Sequence, residues 1–160
     1  MAQVIITDQE ALAASWRAWV RAIVIGAIVG VVFWILTLLI ERYIIDPLVC
    51  SKAVNATLCA GSLPLAGTIS TILAGVVGIV LMVRGAVARP IIIAVATAAL
   101  LWDLAAWTEG LFWLESFAWS VALYALVFAL FAWITRHSLL WVTIVLSVLI
   151  VVIIRIALVL

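Results

Sequence analysis

The sequence predicts an all-α, polytopic integral membrane protein with five transmembrane helices and a short N-terminal interfacial helix. Two observations carry that expectation. Of 160 residues, 71% are hydrophobic and 9% charged, with a mean hydropathy of +1.52, whereas soluble domains are about 45–50% apolar and about 25% charged. Such an apolar surplus has no polar shell to hide behind in water, so lipid is its natural solvent. The charges are also segregated, leaving uncharged or nearly uncharged stretches at 22–40, 64–83, 90–107, 117–134 and 139–160. Each is 18 to 22 residues long, close to the roughly 20 that a helix rising about 1.5 Å per residue needs to cross about 30 Å of hydrocarbon. Runs of continuous apolarity rather than alternation argue against a barrel. The composition excludes a cytosolic enzyme, a nucleic-acid reader and a disordered tail, each of which needs polar surface or basic runs.

Residues 1–21 lack the basic start and small-residue cleavage site of a signal peptide. Thr7-Asp8-Gln9-Glu10 reads as a capping box, after which Leu12, Trp16 and Trp19 share a face while Arg17 and Arg21 can reach phosphates. The segment is therefore expected to lie on the inner leaflet before the chain turns into the first span. The alternative is a continuous extension of the first helix. Residues 22–160 form one transmembrane bundle.

In the first span Ala22, Gly26 and Gly30 recur at four-residue steps. An outer loop, 41–63, follows and carries both cysteines, Cys50 and Cys59. In an oxidising compartment they can close a structural disulfide, worth roughly 2.5 to 3 kcal/mol for a loop of about 10 residues. An exchanging redox pair is the alternative, although membrane thiol oxidases usually relay electrons between two pairs. Asn55-Ala56-Thr57 also matches a glycosylation sequon, a weak pattern.

The second span places Gly67, Thr71 and Gly75 on one face. The third is interrupted by Asp103, which shares a helical face with Ala96, Ala99 and Ala106 and is expected to point into the bundle. A turn rich in Trp joins it to the fourth span and carries Glu109 and Glu115, a candidate outer acidic pair. Down the fourth span run Ala118, Ala122, Ala125, Ala129 and Ala132, a 4-3-4-3 seam that lets a neighbouring backbone approach. The fifth span is rich in Val, Ile and Leu and is expected to face lipid on most sides. It contains Arg155, which sits at a depth similar to that of Asp103, so the two form a candidate intramembrane pair.

Arg17, Arg21, Arg84, Arg89 and Arg136 fall on one side, against Arg42 and Lys52 on the other. The positive-inside rule therefore puts the N-terminus in the cytoplasm and, with five spans, the C-terminus outside a plasma or bacterial inner membrane. Trp16, Trp19, Trp133 and Trp141 would form the inner aromatic belt, and Trp102, Trp107, Trp113 and Trp119 the outer one.

No catalytic residue, metal set or cofactor motif can be assigned. His137 is the only histidine and cannot make a ligand set alone. The reading that follows is a non-catalytic accessory or scaffold subunit whose partners are the bilayer and other membrane subunits or copies of itself. A homo-oligomeric transporter or channel using Asp103 and Arg155 is the alternative, and a thiol oxidoreductase using Cys50 and Cys59 is the third.

Overall fold

A computed structural model describes residues 2–50, 62–87, 89–137 and 140–159, with side chains described for 16–48, 62–87, 89–135, 141–154 and 156. Among these residues every element is helical. The chain forms α1 (Ala2–Ile40), a π-helical continuation (Glu41–Cys50), α2 (Ser62–Arg84), α3 (Pro90–Leu100), α4 (Leu104–Trp107), α5 (Trp113–His137) and α6 (Leu140–Val159). Three helical stretches are long and apolar enough to cross a membrane: Trp16–Leu48, Ser62–Arg84 and Trp113–Thr135. Pro90–Leu100 and Trp141–Ile154 are apolar but shorter. Large apolar side chains cover much of the exterior, among them Val76, Val95, Leu126 and Val145, which points to a membrane protein.

Two sequence expectations are corrected along the backbone. α1 runs unbroken through Arg21 and Ala22, so residues 2–21 are its first half rather than a separate helix. The junction holds neither Gly nor Pro, and Ala11, Leu12, Ala13 and Ala14 are strong helix formers. Thr7 consequently falls inside the helix and not at its cap. At the other end, the first ten residues of the expected 41–63 loop remain helical, widened to a π ladder around Pro47. Proline has no N–H to donate and its ring crowds the preceding turn, which disfavours ordinary α geometry there.

α1 is the centre of the bundle and packs on α2 and α5; α3 lies against α2 and α5, and α6 covers α3 and α5. The close approaches set directions. A Cβ on Gly26 would lie 2.8 Å from the Tyr124 carbonyl, and one on Gly30 would lie 2.8 Å from that of Ser120. As α1 advances by four residues its partner on α5 steps back by four, so the two are antiparallel. Gly78 faces Val29 and Gly85 faces Ile25, which makes α2 antiparallel to α1 as well. Gly75 faces Ala98 and Gly67 faces Ala105, so α3 and α4 together run back along the length of α2.

The core between these helices is aromatic. Phe33, Tyr124, Phe128 and Phe131 are at most 2% exposed; Tyr124 has Phe33 at 5.3 Å and Phe128 at 6.4 Å between ring centroids. Against lipid, which is as apolar as these rings, their contribution is tight van der Waals packing rather than escape from solvent.

Candidate functional site

The third apolar segment does not form one helix. α3 ends at Leu100, where the Leu101 N–H still reaches the Thr97 carbonyl at 2.9 Å. The Leu104 N–H then bonds the Leu101 carbonyl at 3.1 Å and closes a tight turn over Trp102 and Asp103. α4 restarts with Asp103 at its N-cap, φ −100° and ψ 17°, although the carboxylate does not cap the helix. Aspartate favours helix starts over helix interiors because its oxygens compete for nearby backbone amides. The break turns the expected face: Ala96 is buried, Asp103 half-buried, and Ala99 and Ala106 exposed. Beyond the break, Ala105 is seated directly on Gly67, a contact that admits no side chain at position 67. The side chain of Arg155, the expected partner of Asp103, lies outside the described residues; its helix α6 packs against α3.

The opposite acids assemble differently from their sequence order. Glu109, exposed in the turn before α5, lies within electrostatic reach of Glu41, which also feels Asp46. Glu115 is in the first turn of α5, where a helix dipole favours an acid. Glu109 thus acts on Glu41, the first residue of the π-helical continuation. Beside it an open cavity of about 550 Å³ is lined by Leu38, Leu39, Glu41, Arg42, Tyr43 and Asp46. Among the described residues no three His, Cys, Asp or Glu side chains converge as a metal set would.

Within the bundle the hydroxyls are spent locally. Thr37, Ser70, Thr71, Thr97 and Ser120 each donate to the carbonyl four residues earlier, at 2.7 to 2.9 Å. That arrangement satisfies a buried hydroxyl without linking helices. Tyr124 and Ser147 differ: among the described residues neither buried hydroxyl reaches a hydrogen-bond partner of good geometry, although Thr71 is the polar neighbour of Tyr124.

A polar contact joins distant helices. Arg89, left-handed at φ 56° and ψ 52°, precedes Pro90 at the start of α3, and its Nη1 donates to Thr143 Oγ1 at 2.7 Å. Thr143 is fully buried in the second turn of α6. Sequence reasoning missed this pairing and the Tyr124 cluster. The available signal was the four-residue spacing of Thr143 and Ser147 in an otherwise apolar helix.

The small-residue seam divides. Gly26 and Gly30 meet the α5 backbone at Tyr124, Ala125, Ser120 and Val121, while Ala129 is buried, Ala125 and Ala132 are half-buried, and Ala118 and Ala122 are exposed. α1 therefore seats beside the alanine seam and covers only its lower part. Cys59 lies outside the described residues, and with it the expected pairing to Cys50. No protein-family model matches this chain, and neither the curated proteins nor the solved structures gave a match.

Proposed function

We propose that this chain is a five-span, non-catalytic accessory or scaffold subunit of a membrane complex, with its N-terminus in the cytoplasm and its C-terminus outside a plasma or bacterial inner membrane. The third and fifth crossings on this reading are α3 with α4, which together run back along α2, and α6, which is 20 residues long. The outer segment between Cys50 and Ser62 is closed by a Cys50–Cys59 disulfide.

The carrying observation is the exposed pair Ala118 and Ala122 at the start of α5. It is a small-residue face of the kind on which another membrane helix seats closely, and α1 leaves it uncovered. Five internal hydroxyls, those of Thr37, Ser70, Thr71, Thr97 and Ser120, are committed to their own helices, which adds support. Native mass spectrometry of the chain extracted gently from its own membrane tests this. A stable assembly with a different polypeptide, lost in Ala118→Leu/Ala122→Leu, is expected; a lone monomer would overturn it.

A second reading is favoured by one specific feature, the break at Asp103. Interrupted helices that carry an acid at the break are used by transporters to handle ions, and Asp103 with Arg155 would then serve an interface between copies of the chain. Ion flux in reconstituted vesicles that disappears in Asp103→Asn would favour it, whereas no flux or unchanged flux removes it.

A further inference from the structure

We infer that the contact between α3 and α6 holds one small monovalent anion of chloride size, accepting from the Arg89 guanidinium and the Ser147 hydroxyl. The inference goes beyond the scaffold reading and holds whichever partner α5 meets. Arg89 Nη1 donates to Thr143 Oγ1 at 2.7 Å, and Thr143 is fully buried, so the guanidinium is fixed on the inward face of α6. Ser147, 4% exposed, stands one turn further along that same face, about 6 Å up the helix axis. Among the described residues its hydroxyl has no hydrogen-bond partner. Thr37, Ser70, Thr71, Thr97 and Ser120 return their protons to the carbonyl four residues earlier; Ser147 has the Thr143 carbonyl at that spacing and does not use it. A buried hydroxyl that donates to nothing is costly, so the position calls for an acceptor, and it lies one helical turn from a guanidinium.

Charge selects the ligand. α2, α3 and α6 carry no Asp or Glu, and the single acid of α5, Glu115, lies in its first turn at the other end of that helix. α3 and α6 both begin beside the Arg89–Thr143 bond, with the positive ends of their dipoles. α2 and α5 end on this side with Arg84 and with Arg136 and His137. Spacing selects size: an atom accepting from both donors at about 3 Å bridges about 6 Å, which suits a halide better than a tetrahedral oxyanion. Water bridges such a gap as well, but the positive field at this end favours an anion over a neutral molecule. Thr143 is the positioning residue, since it holds the guanidinium beneath Ser147.

The test uses the full chain in a mild detergent and follows the NMR linewidth of chloride, which broadens when the ion exchanges with a protein site. We expect saturable broadening that bromide reverses and gluconate, too large to enter, does not. Ser147→Ala should weaken chloride binding about tenfold while leaving thermal unfolding in gluconate unchanged, because the hydroxyl has no partner within the fold. Ser147→Thr keeps a hydroxyl and should restore most of the affinity. Arg89→Gln should abolish the saturable component, and Arg89→Lys, which retains the charge, should weaken it and keep the site testable if the Gln variant does not fold. Arg84→Gln, at an exposed position, should change little. Broadening that does not saturate overturns the inference. So does an affinity unchanged in Ser147→Ala, which would mean that the hydroxyl turns back to the Thr143 carbonyl or holds only water. Equal losses in Arg84→Gln and Ser147→Ala would also overturn it, by showing a diffuse charge effect.

Discussion

Gly30 of α1 lies so close to Ser120 of α5 that a methyl group on it would stand 2.8 Å from the Ser120 carbonyl oxygen and 2.8 Å from the Val121 Cα. Both obstacles are backbone, so the helices must separate to admit a side chain. Gly30→Ala is expected to destabilise by about 1–3 kcal/mol, as is Gly26→Ala, whose methyl would meet the Tyr124 carbonyl at 2.8 Å. Gly75→Ala has only Ala98 Cβ at 4.0 Å and should stay within about 0.5 kcal/mol. Reversible unfolding in mixed micelles ranks the three; equal effects would contradict the packing of α1 on α5.

Tyr124 contributes chiefly bulk to the core. Its buried hydroxyl has no hydrogen-bond partner of good geometry among the described residues, so Tyr124→Phe should be neutral or stabilising by about 1 kcal/mol. Tyr124→Ala empties a core site that is 2% exposed and should cost about 3–5 kcal/mol. A loss above about 1 kcal/mol in Tyr124→Phe would show that Thr71 or another group engages the hydroxyl.

Thr143→Val deletes the acceptor of the Arg89 hydrogen bond while keeping the side-chain shape. The expected cost is about 1.5–3 kcal/mol, the range for bonds to charged groups. In a double-mutant cycle with Arg89→Gln the two substitutions should be strongly non-additive. Additive losses would mean that Arg89 and Thr143 contribute independently.

Cys50→Ser/Cys59→Ser should lower stability by roughly 2.5 to 3 kcal/mol and abolish the mobility shift that reduction causes on a denaturing gel. Thiols that react with maleimide in the untreated chain would remove the disulfide from the proposal.

The helices were largely legible because hydropathy and charge segregation report directly on segments that need lipid. The expected 64–83 and 117–134 correspond to Ser62–Arg84 and Trp113–His137. The N-terminal half of α1 follows the alternative of a continuous helix: a Thr-x-x-Glu pattern and a cluster of Trp and Arg residues resemble a start signal even when strong helix formers carry the helix through. Asp103 marked the third segment as irregular, but a single acid does not announce whether a helix tolerates it or breaks. Side-chain partnership was the least accessible part. Periodicity groups Ala118 to Ala132 on one stripe, yet which neighbour covers that stripe depends on glycines 90 residues away. The pairing of Arg89 with Thr143 is likewise a matter of helix order, which no local pattern encodes.

The glycine face of α1 also orders the events of synthesis. α1 leaves the ribosome before α5, and Ser120 and Tyr124, against which Gly30 and Gly26 seat, follow about a hundred residues later. At ≈ 5–20 residues per second that gap lasts roughly 5 to 20 seconds, during which α2 can already pair with α1 but the notch at Gly26 and Gly30 stands open to any passing helix. A nascent chain halted before residue 113 presents the same open notch permanently, which makes such truncated chains the natural bait for cellular factors that shield unfinished membrane bundles.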